Sequence, residues 1–312
     1  MNKKVLVHNG HSNLMHIALE GLFREHFEVI PLSKIEEYPK KDCALWIEFS
    51  LVDQEWYKPY IADGYKLIID HFWDSYVEEP SITESNSLTL RAKNFVWWNF
   101  AIWWLDHYRD VEFDFTKNAD HFFLMLLRKD RRHRTNLYEI MTPFLDSSLY
   151  SYMERGVSIQ EDVGTDPVID VNGKWYQHTH FSLVSETWVV QHEQYPTFIS
   201  EKTFKPIAWQ HPFITFGVPN TLTYLHESGF ETFGHIIDES YDKIIDVTLR
   251  LQKIFEIVSE LYKDYLSGKN LFSDHVTKEK LIHNYYHFYN KELLHKMFYD
   301  EVVTVLNEFL ET

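Results

Sequence analysis

One cysteine, Cys43, in 312 residues leaves no partner for an intramolecular disulfide and no material for a cysteine-based metal cluster. It lies in the apolar run Cys43-Ala-Leu-Trp-Ile47, which predicts a buried structural thiol rather than a nucleophile. Glycine and proline number 10 each, too few for low-complexity linkers, and no internal repeat is visible. No apolar run approaches the ~18 residues of a membrane-spanning helix. The amino-terminal Met-Asn-Lys-Lys-Val-Leu-Val-His is too short in its apolar part for a signal peptide, so a reducing cytoplasm is the expected location. Positive charge is scarce: 30 Lys and Arg against 47 Asp and Glu give a net charge of −17. Such a body disfavours a broad nucleic-acid or anionic-membrane surface but leaves room for a local basic pocket. Neither a Walker loop nor a G-x-G-x-x-G fingerprint occurs, which argues against P-loop NTPases and dinucleotide enzymes.

What is abundant is core material. The chain is 45% hydrophobic and 17% aromatic, with 23 Phe, 19 Tyr and 10 Trp, which excludes general disorder. Its length suits two domains. The 18 His offset part of the negative charge below about pH 6.5.

Short apolar runs alternate with helical segments. Val5–Val7, Val29–Ile30, Leu45–Ile47, Leu67–Ile69 and Phe95–Trp98 are predicted strands, with an acidic, hydroxyl-rich loop over Glu78–Leu88. Helices are expected after the first strand, around Leu14–Phe23, and up to about Ala62. This pattern implies an α/β fold with a parallel sheet covered on both faces, whose strand carboxyl ends carry the ligand. His8, His11, Glu48, Asp70, His71 and Asp74 fall at or just past such ends. Trp97, Trp98, Trp103 and Trp104 suit core packing at a strand-to-helix junction better than ligand stacking.

The chain turns polar from Asp106 to Asp120, and the domain boundary is placed there. The expected division is an amino-terminal α/β domain (1–115), a second α/β domain (116–280) and a helical segment (281–312) that packs back. The second series opens with the strand Phe122–Leu127, then Arg128-Lys-Asp-Arg-Arg-His-Arg134 and a helix to about Leu145. A cationic first turn opposes the helix dipole, which suggests that it meets an anion such as phosphate. Val168–Tyr176 reads as a hairpin turning at Asn172-Gly173, and Phe181–Val190 as a strand.

The central stretch is Phe198-Ile-Ser-Glu-Lys-Thr-Phe-Lys-Pro-Ile-Ala-Trp-Gln-His-Pro-Phe-Ile-Thr-Phe-Gly217. Ser200 is a helix cap, Glu201, Lys202 and Lys205 populate the first turn, and Pro212–Phe216 is a buried strand. A helix start offering free N–H groups, amines and a carboxylate suits a sugar-phosphate. Pro206 predicts either a kink or a helix that starts one turn later. A short helix follows over Asn220–Ser228, then a long amphipathic helix over about Tyr241–Tyr265, and a last helical region over Lys278–Leu310.

Together, the Leu127–Arg134 run, Leu183-Val-Ser-Glu-Thr187, Ile199-Ser-Glu-Lys-Thr-Phe-Lys-Pro206, His-Pro-Phe-Ile214 and Gly229-Phe-Glu-Thr-Phe233 resemble the GT-B glycosyltransferases. The α1,3-fucosyltransferase-like family and uncharacterised phage and bacterial glycosyltransferase-like proteins are the nearest in pattern. The resemblance covers about a third of the chain, all in its second half. It implies two Rossmann-like domains facing across a cleft, with long carboxyl-terminal helices. It implies Arg128 and Lys202 on a nucleotide diphosphate, with Arg131, Ser200 and Lys205 beside them, and Glu201 on the ribose.

The function expected is transfer of a sugar from a nucleotide-sugar donor to an acceptor hydroxyl, either of a glycan or of a modified DNA base. Asp70 and His71, then Glu48 and His11, are the candidates for its base. No Asp-x-Asp pair is present, so a metal-independent reaction without a further cofactor is expected, basic groups neutralising the leaving diphosphate. His178 and His180 are weak metal candidates. A hydroxymethylated-DNA glycosyltransferase and a non-catalytic nucleotide- or carbohydrate-binding protein are the alternatives.

Overall fold

A computed structural model describes residues 4–10, 14–48, 56–71, 86–91, 100–102, 104, 119–159, 173–191 and 198–312. The chain divides into two compact units: Met1–His107 with Tyr289–Thr312, and Tyr108–Phe288.

The first unit holds β1 (Val5–His8), α1 (Leu14–His26), β2 (Glu28–Pro31), β3 (Cys43–Glu48), α2 (Lys58–Ala62), β4 (Lys66–His71) and β5 (Ser87–Arg91). All five strands are parallel, in the order β2-β1-β3-β4-β5. The central runs are apolar on both faces, as strands covered on both sides must be. Val5, Val7, Leu45, Ile47, Leu67 and Ile69 pack with Tyr57 and Ile61 into one core. Cys43 joins that core, and burial pushes its thiol pKa up to about 11, so it is a structural thiol. The last helices, α9 (Lys291–Phe298) and α10 (Thr304–Glu311), belong to this unit. The Phe298 ring meets Phe23 of α1 edge-on at 5.1 Å, and Lys66 Nζ donates to the Phe309 carbonyl at 2.7 Å.

The fifth strand departs from expectation. It is Ser87-Leu-Thr-Leu-Arg91, part of which reads as loop in the sequence, whereas Phe95–Trp98 lies outside the described residues. β5 alternates hydroxyl residues with leucines, so it lacks the continuous apolar run used as the strand signal.

The second unit holds β6 (His121–Leu127), α3 (Arg132–Met141), β7 (Leu149–Tyr152), α4 (Gly173–Gln177), β8 (Thr179–Ser185), α5 (Glu201–Ala208), β9 (Phe213–Phe216), α6 (Thr221–Glu227), α7 (Val247–Leu266) and α8 (His275–Phe288). Its four strands are again parallel, in the order β7-β6-β8-β9. β8 is buried along its whole length.

The hairpin expected over Val168–Tyr176 is not formed in its second arm: Gly173–Gln177 is a helical turn. A Cβ on Gly173 would lie 2.2 Å from the Trp209 ring, so this glycine serves close packing and not a turn. Trp175 and Tyr176 are buried there, and Tyr176 stacks on Trp209 at 5.8 Å.

The long helix also starts later than predicted. Asp242 accepts from Leu222 N at 3.0 Å and Thr223 N at 3.4 Å, capping α6 from outside. The chain then passes through a 3-10 turn at Glu239–Lys243, and α7 starts only after Asp246, which accepts from Thr248 N and Leu249 N.

Both sheets run outward in opposite directions from their first strand. The reversal falls between β1 and β3 in the first sheet and between β6 and β8 in the second. Doubly wound α/β sheets bind ligands at this point, outside the strand carboxyl ends.

Candidate functional site

The carboxyl ends of β6 and β8 gather most of the polar residues singled out in the second half. Glu186 follows β8 directly and is fully buried, at 0% exposure. Its carboxylate accepts from Ser200 N at 3.0 Å, Ser200 Oγ at 2.5 Å, Thr203 Oγ1 at 2.7 Å and Thr187 N at 3.3 Å. Four donors fill the lone pairs of a carboxylate. Glu186 therefore anchors the start of α5.

Ser200 is extended and caps α5, its Oγ accepting from Lys202 N at 3.5 Å and Lys202 Nζ at 3.0 Å. The helix begins at Glu201 despite Pro206, so the later start is not adopted. Pro206 lies deep enough in the helix that its missing N–H removes only one ladder bond. Lys202 Nζ pairs with Glu201 Oε1 at 2.6 Å. Burial works to raise the Glu201 pKa, but the ammonium groups of Lys202 and Lys205 outweigh it and bring it down to about 2.

α3 faces this helix start across the strand reversal. Arg131 donates from Nη1 to the Thr187 carbonyl at 2.9 Å, and His133 Nε2 bonds the Glu186 carbonyl at 3.0 Å. Burial lowers the His133 pKa to about 4, so the ring is neutral near pH 7 and donates that bond. Arg134 is 4% exposed, yet its Nε has no hydrogen-bond partner and its Nη1 reaches only the Lys129 carbonyl, at 3.3 Å. Burial and the charge of Arg131 lower its pKa, while Glu186 and Glu201 oppose them. An arginine stays charged regardless. No ion pair of Arg134 is present among the described residues.

The basic stretch Arg128–Arg134 thus divides. Arg131 and His133 bond the backbone at Thr187 and Glu186, while Arg134, one turn on from Arg131, is buried within the electrostatic influence of Glu186 and Glu201. Arg128 is exposed, with no side-chain hydrogen bond or ion pair among the described residues. Asp130 takes up Arg155, accepting from its Nε at 3.1 Å and from Tyr152 OH at 2.7 Å. The Tyr152 hydrogen bond, then those of Arg155 and Thr135, hold the Asp130 pKa down to about 2.

In the first unit Asp70 is fully buried on β4, and the Trp46 indole N–H donates to its carboxylate. Glu48 and His71 end their strands, Glu48 in register with Asp70 and His71 with Arg91; only their backbone is described. His11 lies outside the described residues. His8 ends β1, its Nδ1 accepting from Gly10 N at 3.2 Å, and burial lowers its pKa. Among the described residues no group of three or more His, Cys, Asp or Glu is placed to hold a metal ion. No described helix is long and apolar enough to cross a membrane.

Arg134 and Glu186 are the residues the sequence reading missed. Arg134 was hidden among other basic residues, where only its one-turn spacing from Arg131 marks it. Glu186 had a usable signal: a carboxylate directly after a predicted core strand must find several donors if it is to stay charged.

No family model matches the chain. No curated protein matches it either. Among solved structures the chain is similar to an α1,3-fucosyltransferase, at 11% identity and a TM-score of 0.43, over 94% of this chain and 92% of that one. It is also similar to an α1,3-fucosyltransferase with GDP-fucose, at 10% identity and a TM-score of 0.41, over 93% and 91%.

Proposed function

We propose that the chain is a nucleotide-sugar-dependent glycosyltransferase whose donor diphosphate binds at the carboxyl ends of β6 and β8. The observation that carries this reading is Arg134, a buried guanidinium with an unpartnered Nε beside the start of α5. A buried cation without a counter-ion is costly, and a bound anion removes that cost. Among the described residues, Arg131, Arg134, Lys202 and Lys205 stand with Glu186 and Glu201 here, a local excess of positive charge in a chain of net charge −17. The dipole of α5 adds to this excess of positive charge.

In this reading Arg134 and Lys202 meet the diphosphate, with Arg131, Lys205 and the exposed Arg128 around it, and Glu201 accepts from ribose hydroxyls. Lys202 leaves Glu201 for phosphate when the donor binds, which frees the carboxylate for the ribose. The cations stabilise the leaving diphosphate without a metal ion. Glu186 positions Ser200 and α5 without touching the donor. The resemblance of the sequence motifs to the fucosyltransferase-like family supports this placement. The base that takes the acceptor proton is assigned to the strand ends of the first unit, with Asp70 first, then His71, Glu48 and His11.

The test is a thermal-shift panel of nucleoside diphosphates and nucleotide sugars, GDP-fucose among them, on wild type, Lys202→Ala and Arg134→Gln. A donor at 100 times its Kd stabilises the native state by about 2.7 kcal/mol. The stabilisation is expected in wild type and lost in both variants. Full donor affinity in Lys202→Ala or Arg134→Gln overturns the assignment.

A further inference from the structure

Trp188 stands two residues beyond the buried Glu186 and is 40% exposed, while Glu186 and Val189 around it are buried. The Arg131 guanidinium lies over the Trp188 ring, 5.7 Å from its centroid, while its Nη1 is bound to the Thr187 carbonyl. One arginine thus contacts both the backbone before Trp188 and the ring itself, which favours one orientation of the indole. An exposed indole backed by a cation is a stacking surface for a flat ring.

The segment following Trp188 is held as well. Arg250, 1% exposed, donates from Nη2 to the Val189 carbonyl and from Nη1 to the carbonyls of Ile244 and Ile245. This ties the segment after β8 to the start of α7. It leaves Val190 63% and Ile245 76% exposed on either side of that tie.

We propose that Trp188 is the stacking platform for the nucleobase of the donor, and that it separates nucleotides from simple phosphates at this site. The inference rests on the donor-site reading above. The ligand class it names is a planar aromatic base joined to a diphosphate: the diphosphate lies on the cations of α3 and α5, and the base lies on Trp188.

The experiment measures the dissociation constants of GDP, UDP, ADP and inorganic pyrophosphate by calorimetry. It uses wild type, Trp188→Leu, Trp188→Phe and Lys202→Ala. Removing a base-stacking aromatic costs roughly tenfold or more in affinity. Trp188→Leu is expected to weaken the tightest-binding nucleoside diphosphate at least tenfold and to leave pyrophosphate within twofold. Trp188→Phe, which keeps an aromatic face, is expected to retain most of the affinity. Lys202→Ala is expected to weaken all four ligands.

An unchanged nucleoside diphosphate affinity in Trp188→Leu overturns the stacking role and leaves the donor site standing. An equal loss for pyrophosphate and nucleotide also overturns it, because the tryptophan is then only a structural support. Wild type that binds pyrophosphate as tightly as any nucleotide has no base site, and the proposal falls. Wild type that binds none of the four overturns the donor site and the stacking proposal together.

Discussion

Gly173 sits against Trp209 so closely that a methyl group would overlap the ring at 2.2 Å. Gly173→Ala must push Trp209 off Tyr176 or shift α4, and overpacking of this kind costs about 1–3 kcal/mol. Urea denaturation should show a loss of about 2 kcal/mol; an unchanged midpoint would mean that the contact relaxes freely. Glu186 is the opposite case, a charge held by donors and not by space. In Glu186→Gln an amide N–H₂ faces the N–H and hydroxyl donors of Ser200 and Thr203. Buried donors left unpaired cost about 1–3 kcal/mol each. The variant is expected to lose about 3 kcal/mol and to respond less to nucleotides, because α5 is no longer held in place. A variant as stable as wild type would show that Ser200 and Thr203 find other acceptors. Neither residue could be assigned from its neighbours in the chain: the partner of Gly173 is 36 positions away and the donors to Glu186 are 14 and 17 away.

At the scale of the element, β8 and β9 carry a buried polar network that sets an acid limit on stability. His211 is 1% exposed; its Nε2 bonds the Thr179 carbonyl at 2.9 Å and its Nδ1 meets Ser182 Oγ at 2.9 Å. Nε2 therefore carries the proton and Nδ1 accepts. Burial is the main reason that the His211 pKa falls to about 3, and His133 is lowered to about 4 for the same reason. Both folded values lie below the unfolded 6.5, so the native state holds these rings neutral while the unfolded chain takes up protons first. Their contribution is complete above about pH 6.5 and is lost as pH falls from there toward the folded values. For His211 the slope is about 1.4 kcal/mol per pH unit. Glu201, lowered to about 2, adds a second loss of the same sign that begins only below its unfolded 4.5. Denaturation between pH 7.5 and 5.0 should show stability falling with acid, with a smaller slope in His211→Gln. Equal slopes would remove His211 from the cause. Helix α5 shows the same dependence of an element on its surroundings: Ser200 supplies the cap that its sequence pattern predicts, but the carboxylate that orients Ser200 comes from β8.

At the scale of the molecule, the chain's last segment belongs to its first unit. Tyr289–Thr312 returns to Met1–His107, and Phe298 packs on Phe23 beside Trp46. Deleting residues 289–312 exposes this aromatic cluster and removes no residue of the second unit. The deletion is expected to lower the melting temperature of the first unit while nucleotides still stabilise the second. Loss of the nucleotide response would show that the donor site needs more than its own unit. Asp70→Asn belongs to the same division of labour: it is expected to slow transfer and leave donor binding intact, measured as kcat against Kd. Equal loss of both would take Asp70 out of the role proposed for it.

The alternation of short apolar runs with amphipathic segments is local, so strands β1, β2, β3, β4, β6 and β9 and the parallel α/β class were readable from the chain alone. So was the capped start of α5, because Ser200, Glu201 and Lys202 are neighbours. The strands β5 and β7 were not, because Ser87-Leu-Thr-Leu-Arg91 and Leu149-Tyr-Ser-Tyr152 interrupt their apolar residues with hydroxyl ones and offer no continuous apolar run to read. The use of Gly173 in packing, the four donors of Glu186 and the unpartnered Nε of Arg134 were not readable either. Each depends on which residues distant in sequence meet at a strand end, and only the folded sheet order decides that.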